Sequence, residues 1–214
     1  MKEAYIRFMA PVMPQTSDQL LRLIDQKIQQ KTEKIHLMLS SPGGSVFHGL
    51  SIYNFIKGAP IEIDTYNFGS VDSIGVVIFC AGEKRYSVPH ARFLIHGVNC
   101  GFNGNVSLGE KELEEKLKGL VIDQQNIAKV IADNCKKQPK QIEKDMINRT
   151  TLNPAQAKVY GLVHEIKSEL FPIDADLSVI MEPLQNQQVI PFGFTAPQHQ
   201  SHTKSDDLDN RTSE

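Results

Sequence analysis

Ser73 stands in the segment Gly69-Ser70-Val71-Asp72-Ser73-Ile74-Gly75, between an apolar stretch ending near Tyr66 and a second one over residues 76–81. That places a hydroxyl at a strand-to-helix junction. A serine becomes a nucleophile when a base takes its proton, a third group orients that base, and N–H groups receive the oxyanion. Ile74 would open the helix, so its N–H has no intrahelical partner and is free to face an anion. Val71 occupies the first glycine position of a Gly-x-Ser-x-Gly elbow, which argues against an α/β-hydrolase turn. Taken alone, Ser73 reads as a helix cap rather than as a nucleophile.

A second turn, Ser41-Pro42-Gly43-Gly44-Ser45, follows the apolar run at Ile35, Leu37 and Leu39. Paired glycines let the backbone come close to a ligand and turn N–H groups outward. No Gly-Lys-Ser/Thr follows, so a phosphate-binding loop is not indicated, and a plain tight turn is the alternative. His96 ends the run Phe93-Leu94-Ile95 and precedes Gly97. An imidazole at a strand end can leave the core and face a cleft as a base, although a lone histidine there also reads as a satisfied structural residue. His90 is its nearest competitor, in a turn after Pro89.

The elements that would hold these residues alternate between strand and helix. Strands are predicted over residues 5–9, 35–39, 61–66, 85–88, 92–95 and 162–166. Helices are predicted over 19–30, with Leu20, Leu21, Ile24 and Ile28 at helical spacing, and over 45–57, 76–81, 110–133, 139–147 and 154–160. Gly161 serves as a helix stop. Residues 99–108, rich in Gly and Asn, read as irregular. Such alternation predicts an α/β layered domain with mostly parallel strands, whose functional loops lie where strands pass into helices.

The 214 residues are 40% hydrophobic and 22% charged, with a net charge of −2. This suits a soluble globular domain and gives no basic excess for nucleic acid. No membrane span or secretion signal is expected, and the expected location is the cytoplasm. Cys80, Cys100 and Cys135 are scattered without metal-ligand spacing, consistent with reduced thiols. No metal or organic cofactor is expected. The pattern fades beyond Phe171, and disorder is expected from about residue 195, although Val189-Ile190-Pro191-Phe192 and Phe194 form apolar runs that could dock.

Four segments in order, Ser40 to Val46, Gly69 to Gly75, Ala91 to His96 and Leu152 to Val163, resemble the proteolytic subunit of Clp proteases. The resemblance spans roughly Tyr5 to Ile166. It implies a serine peptidase of the Clp/crotonase fold, with repeated β-β-α and βα units and a protruding handle helix. The catalytic domain would cover residues 1–170, with the handle at about 98–134 and a C-terminal extension over 171–214. By this resemblance Ser73 is the nucleophile, His96 the general base, and the N–H groups of Gly44 and Ile74 the oxyanion hole. Peptide substrates and a homo-oligomer of stacked heptameric rings are implied, with an AAA+ unfoldase as a further partner.

The chain also departs from that pattern. Arg149 aligns with the Asp that completes the triad, and a guanidinium cannot accept the imidazole N–H. Asn148 and Asp145 are the nearby residues able to accept it. Asp72 replaces a small residue before the nucleophile. The first strand begins almost at Met1, without the family's leading segment, and His36 and Met38 replace aromatics where the ATPase docks, which fits a stand-alone or phage-type relative better than one with an unfoldase partner. Three readings follow: an active serine endopeptidase, a weak or inactive structural homologue, or a crotonase-type acyl-CoA enzyme on the same fold.

Overall fold

Strand and helix periodicities translate into a layered α/β structure in the computed structural model, which describes residues 2–101 and 104–182. The elements are β1 (Glu3–Met9), α1 (Pro14–Gln29), β2 (Lys34–Ser41), α2 (Val46–Gly58), β3 (Glu62–Asp72), α3 (Ile74–Cys80), β4 (Arg85–Ser87), β5 (Arg92–Ile95), α4 (Glu110–Cys135), α5 (Pro139–Ile147), β6 (Thr150–Leu152), α6 (Pro154–Tyr160), β7 (Glu165–Ile166) and β8 (Leu177–Met181). The expected 195–214 disorder and the apolar runs at 189–194 lie outside the described residues.

The strands form one sheet in the order β6-β5-β3-β2-β1-β8, with β4 pairing both β3 and β7. All pairings are parallel except β5 with β6. Alternation along β1 and β2 sorts side chains by face. Ile6, Phe8, Ile35, Leu37 and Leu39 join the main core with Leu20, Ile24, Ile52 and the apolar α3. Tyr5, Met38 and Tyr66 project from the opposite face and form a smaller cluster with Phe68, Tyr86, Leu170 and Leu177.

Several boundaries differ from the sequence-based expectation, one through a local cap and the others through pairing with strands distant in sequence. Helix α1 starts at Pro14 rather than near residue 19, because the Thr16 hydroxyl accepts the Met13 N–H at 3.0 Å and so caps the helix early. Strand β3 continues to Asp72, past the glycine at 69, with a register irregularity opposite Leu39 and Ser41. The short β6 gains its strand character from antiparallel pairing to β5. Strand β8, in the stretch where periodicity fades, is drawn into the sheet by β1 and tied down by an ion pair of Asp176 with the buried Lys27.

Helix α4 is buried only in its second half, at Ile127, Ala128, Ile131, Ala132 and Cys135. Leu113, Leu117, Val121 and Ile122 in the first half are exposed. Among the described residues no helix is long and apolar enough to cross a membrane.

Candidate active site

The turn after β2 is shaped by a residue the sequence did not single out. Val12 donates its N–H to the Gly43 carbonyl at 2.7 Å and accepts the Ser45 N–H at 2.8 Å. This lone parallel bridge holds Gly44 against Val12, where a Cβ would lie 2.3 Å from the Val12 carbonyl oxygen. Gly43, at φ +90°, passes equally close to Ser73: a Cβ there would meet Ser73 Cβ at 2.6 Å. Only glycine tolerates both positions. The two turns predicted separately from sequence therefore form one structure.

Ser73 links β3 directly to α3. Its N–H donates to the Leu94 carbonyl at 2.8 Å, and its backbone has φ 59° and ψ −129°. This is a strained conformation for a residue with a Cβ. The side chain makes no capping hydrogen bond to α3. The helix-cap reading of Ser73 thus fails, and the hydroxyl is left unengaged. Its partial burial contrasts with the complete burial of α3 behind it.

Ser73, Ile74, Gly44, Pro42, His96 and Gly97 line one cavity of about 260 Å³. Four of the residues that the resemblance assigns are therefore brought to one place. His96 Nδ1 lies 2.7 Å from the Gly97 carbonyl oxygen, which can only accept, so Nδ1 carries the proton. The other nitrogen, Nε2, is left as the basic one. No hydrogen bond joins His96 to Ser73 in this structure.

The suggested third members lie elsewhere. Asp145 accepts from the Tyr160 hydroxyl at 2.6 Å and from Gln141 Nε2 at 2.9 Å, so both carboxylate oxygens are occupied. Asn148 caps the C-terminus of α5 and makes no hydrogen bond to His96; Arg149 follows in left-handed backbone at φ 52°. Asp72, although adjacent to Ser73, makes no hydrogen bond to the imidazole. It pairs with Arg92 at 2.7 Å and accepts the Ser70 hydroxyl at 2.9 Å.

The cysteines offer no rival nucleophile in this cavity. Cys80 and Cys135 are buried, and burial pushes the Cys135 thiol up to about 11 and the Cys80 thiol higher still. Among the described residues no group of three or more His, Cys, Asp and Glu side chains is arranged to hold a metal ion.

Comparison with known proteins agrees with this architecture. The Clp protease family model matches residues 1–169. Proteolytic subunit 1 of the ATP-dependent Clp protease of Corynebacterium jeikeium is 33% identical over 64% of this chain and 72% of its own length. Proteolytic subunit 2 from Corynebacterium diphtheriae is 32% identical over 68% of this chain and 72% of its own. A ClpP1 mutant from Listeria monocytogenes superposes with a TM-score of 0.69 at 25% identity, covering 77% of this chain and 91% of the solved one. The sheet-and-helix layering is thus the ClpP fold. The chain belongs to the Clp protease family.

Proposed function

We propose that this protein is a serine endopeptidase that cleaves peptide bonds through an acyl-enzyme on Ser73, with His96 as general base. One observation carries the reading. A serine held in strained backbone, with its hydroxyl uncommitted, shares a small cavity with a histidine whose Nδ1 is already protonated and anchored. Nε2 would take the Ser73 proton during attack and return it to the leaving amine. The N–H groups of Gly44 and Ile74, both lining the cavity, would receive the oxyanion. Deacylation by water would regenerate the hydroxyl.

The protein would act within a homo-oligomer, as stacked heptameric rings. The exposed Leu113, Leu117 and Val121, four residues apart along α4, form an apolar stripe suited to contact between rings. The relatives are named ATP-dependent, so an AAA+ ATPase would be the corresponding partner, although His36 and Met38 in place of the docking aromatics count against it. The domain division at about residue 170 belongs to the same proposal, with β8 added to the sheet from beyond that point.

A second reading, a weakly active or inactive ring component, draws on one feature: His96 has neither a carboxylate partner nor a bond to Ser73. A fluorophosphonate probe separates the two. Labelling of the assembled protein that is lost in Ser73→Ala supports the peptidase. Absence of labelling in folded, assembled protein overturns it.

A further inference from the structure

We infer that Asp72 and Arg92 are positioning residues that lock the strand bearing the nucleophile to the strand bearing the base. The inference rests on the proposed roles of Ser73 and His96. It starts from the short ladder between their strands. Strand β3 ends at Asp72, one residue before Ser73, and β5 ends at Ile95, one residue before His96. The two strands pair at only three positions, Ser70 with Arg92, Val71 with Phe93 and Asp72 with Leu94. The Ser73 N–H adds one more bond, to Leu94.

Side chains reinforce that ladder from one face. Arg92 stands opposite Ser70, two positions before Asp72, and reaches diagonally along β3 so that Nη2 meets Asp72 Oδ2 at 2.7 Å. The other carboxylate oxygen accepts from Ser70 at 2.9 Å, which fixes the rotamer of Asp72 on its own strand. Asn67 Nδ2 donates to the Arg92 carbonyl at 2.8 Å, holding the start of β5 as well. Val71 and Phe93 bury their side chains on the opposite face. The core therefore sets which residues pair, and the ion pair limits the smaller sliding that remains.

That sliding matters for chemistry. Transfer of a proton from Ser73 to His96 needs heavy atoms within roughly 2.6–3.2 Å, and a misplacement of about 1 Å can cost about 100-fold in rate. The clamp acts on this distance without touching the reacting atoms. Half of the Arg92 side chain, 53%, is exposed, whereas Asp72 is only 10% exposed. Arg92 is open enough to solvent for salt to weaken the pair, and the buried Asp72 carboxylate keeps its Ser70 hydrogen bond when Arg92 is replaced. A positioning role and a merely structural one therefore separate by experiment.

The test follows the rate of fluorophosphonate labelling, and kcat and KM for a fluorogenic peptide, in assembled wild type, Asp72→Asn, Arg92→Gln and the exchanged pair Asp72→Arg/Arg92→Asp. Melting temperature is followed in parallel. The expected result is a labelling rate and kcat lower by about 10- to 100-fold in the single variants, with KM and melting temperature little changed. The exchanged pair is expected to recover part of the loss, and the wild-type rate to fall as salt rises. If wild type is labelled and the single variants react at its rate, the positioning role is overturned while the proposed catalysis stands. A loss of rate that tracks loss of melting temperature, with no recovery in the exchanged pair, overturns it too. If wild type itself is not labelled, the serine mechanism falls and takes this inference with it.

Discussion

The imidazole of His96 is oriented by the residue that follows it: Nδ1–H donates to the Gly97 carbonyl at 2.7 Å. The Gly97 N–H in turn donates to the Met146 carbonyl at 3.1 Å, which fastens this peptide to the end of α5. A carbonyl selects the same tautomer that a triad carboxylate would select. Being neutral, it stabilises an imidazolium less. The proposed chemistry is then that of a dyad with a backbone orienter, slower than a full triad but aimed the same way.

This arrangement sets the expected behaviour of the two residues once suited to orient His96. Asn148→Ala is expected to leave the labelling rate of Ser73 within a few-fold of wild type. Asp145→Ala is expected to lower stability by about 1.5–3 kcal/mol, since it strips the Tyr160 hydroxyl of a charged acceptor. Chemical denaturation reads the stability, and the pH profile of labelling, unchanged in shape, shows that Asp145 does not act through His96.

Ser73 carries opposite demands of stability and reactivity. Ser73→Ala is expected to abolish labelling and peptide cleavage while leaving the melting temperature nearly unchanged, because the hydroxyl makes no cap bond. Ser73→Gly is expected to be equally inactive but more stable than Ser73→Ala by about 1 kcal/mol, since glycine accepts φ 59° without strain. Thermal melts of the two variants side by side measure the stored strain.

Gly44→Ala is expected to be destructive. Its Cβ would press on the Val12 carbonyl at 2.3 Å, and φ +144° disfavours any side chain. The turn has to move, with a loss of about 2 kcal/mol or more and of the cavity's shape. Denaturation and labelling together should report both losses. Gly58→Ala, where no atom lies within 4 Å of the added Cβ, is the matched control and should keep wild-type labelling.

Two histidines make stability depend on pH. Burial holds the His36 imidazole below its ordinary range against the opposing pull of Glu3, and burial likewise lowers His164, with Arg85 adding to the shift. The unfolded chain then binds protons that the native chain refuses. The contribution is complete above about pH 6.5, the unfolded value, and is lost as pH falls through the lower folded values. Melting temperature should therefore drop between about pH 7 and pH 5, and His36→Gln should flatten part of that slope.

Much of this molecule is legible from local pattern. Helical spacing at Leu20, Ile24 and Ile28, alternation through Ile35, Leu37 and Leu39, and the glycine turns around Gly43 and Ser73 depend on neighbours a few residues away. Those features place Ser73, His96 and the Gly43-Gly44 turn at strand ends, while their catalytic roles are implied by the family resemblance. What local pattern could not supply are relations whose partners are remote in sequence. Strand β8 exists because β1 pairs with it across some 170 residues, and β6 because β5 does. Val12 shapes the Gly43-Gly44 turn from 31 residues upstream. Whether Ser73 caps its helix, whether Asp72 pairs with Arg92, and whether Asp145 or Gly97 accepts the imidazole N–H are questions of direction. Residue type states only what a side chain can bond. The packing of the sheet against its helices decides which bond it makes.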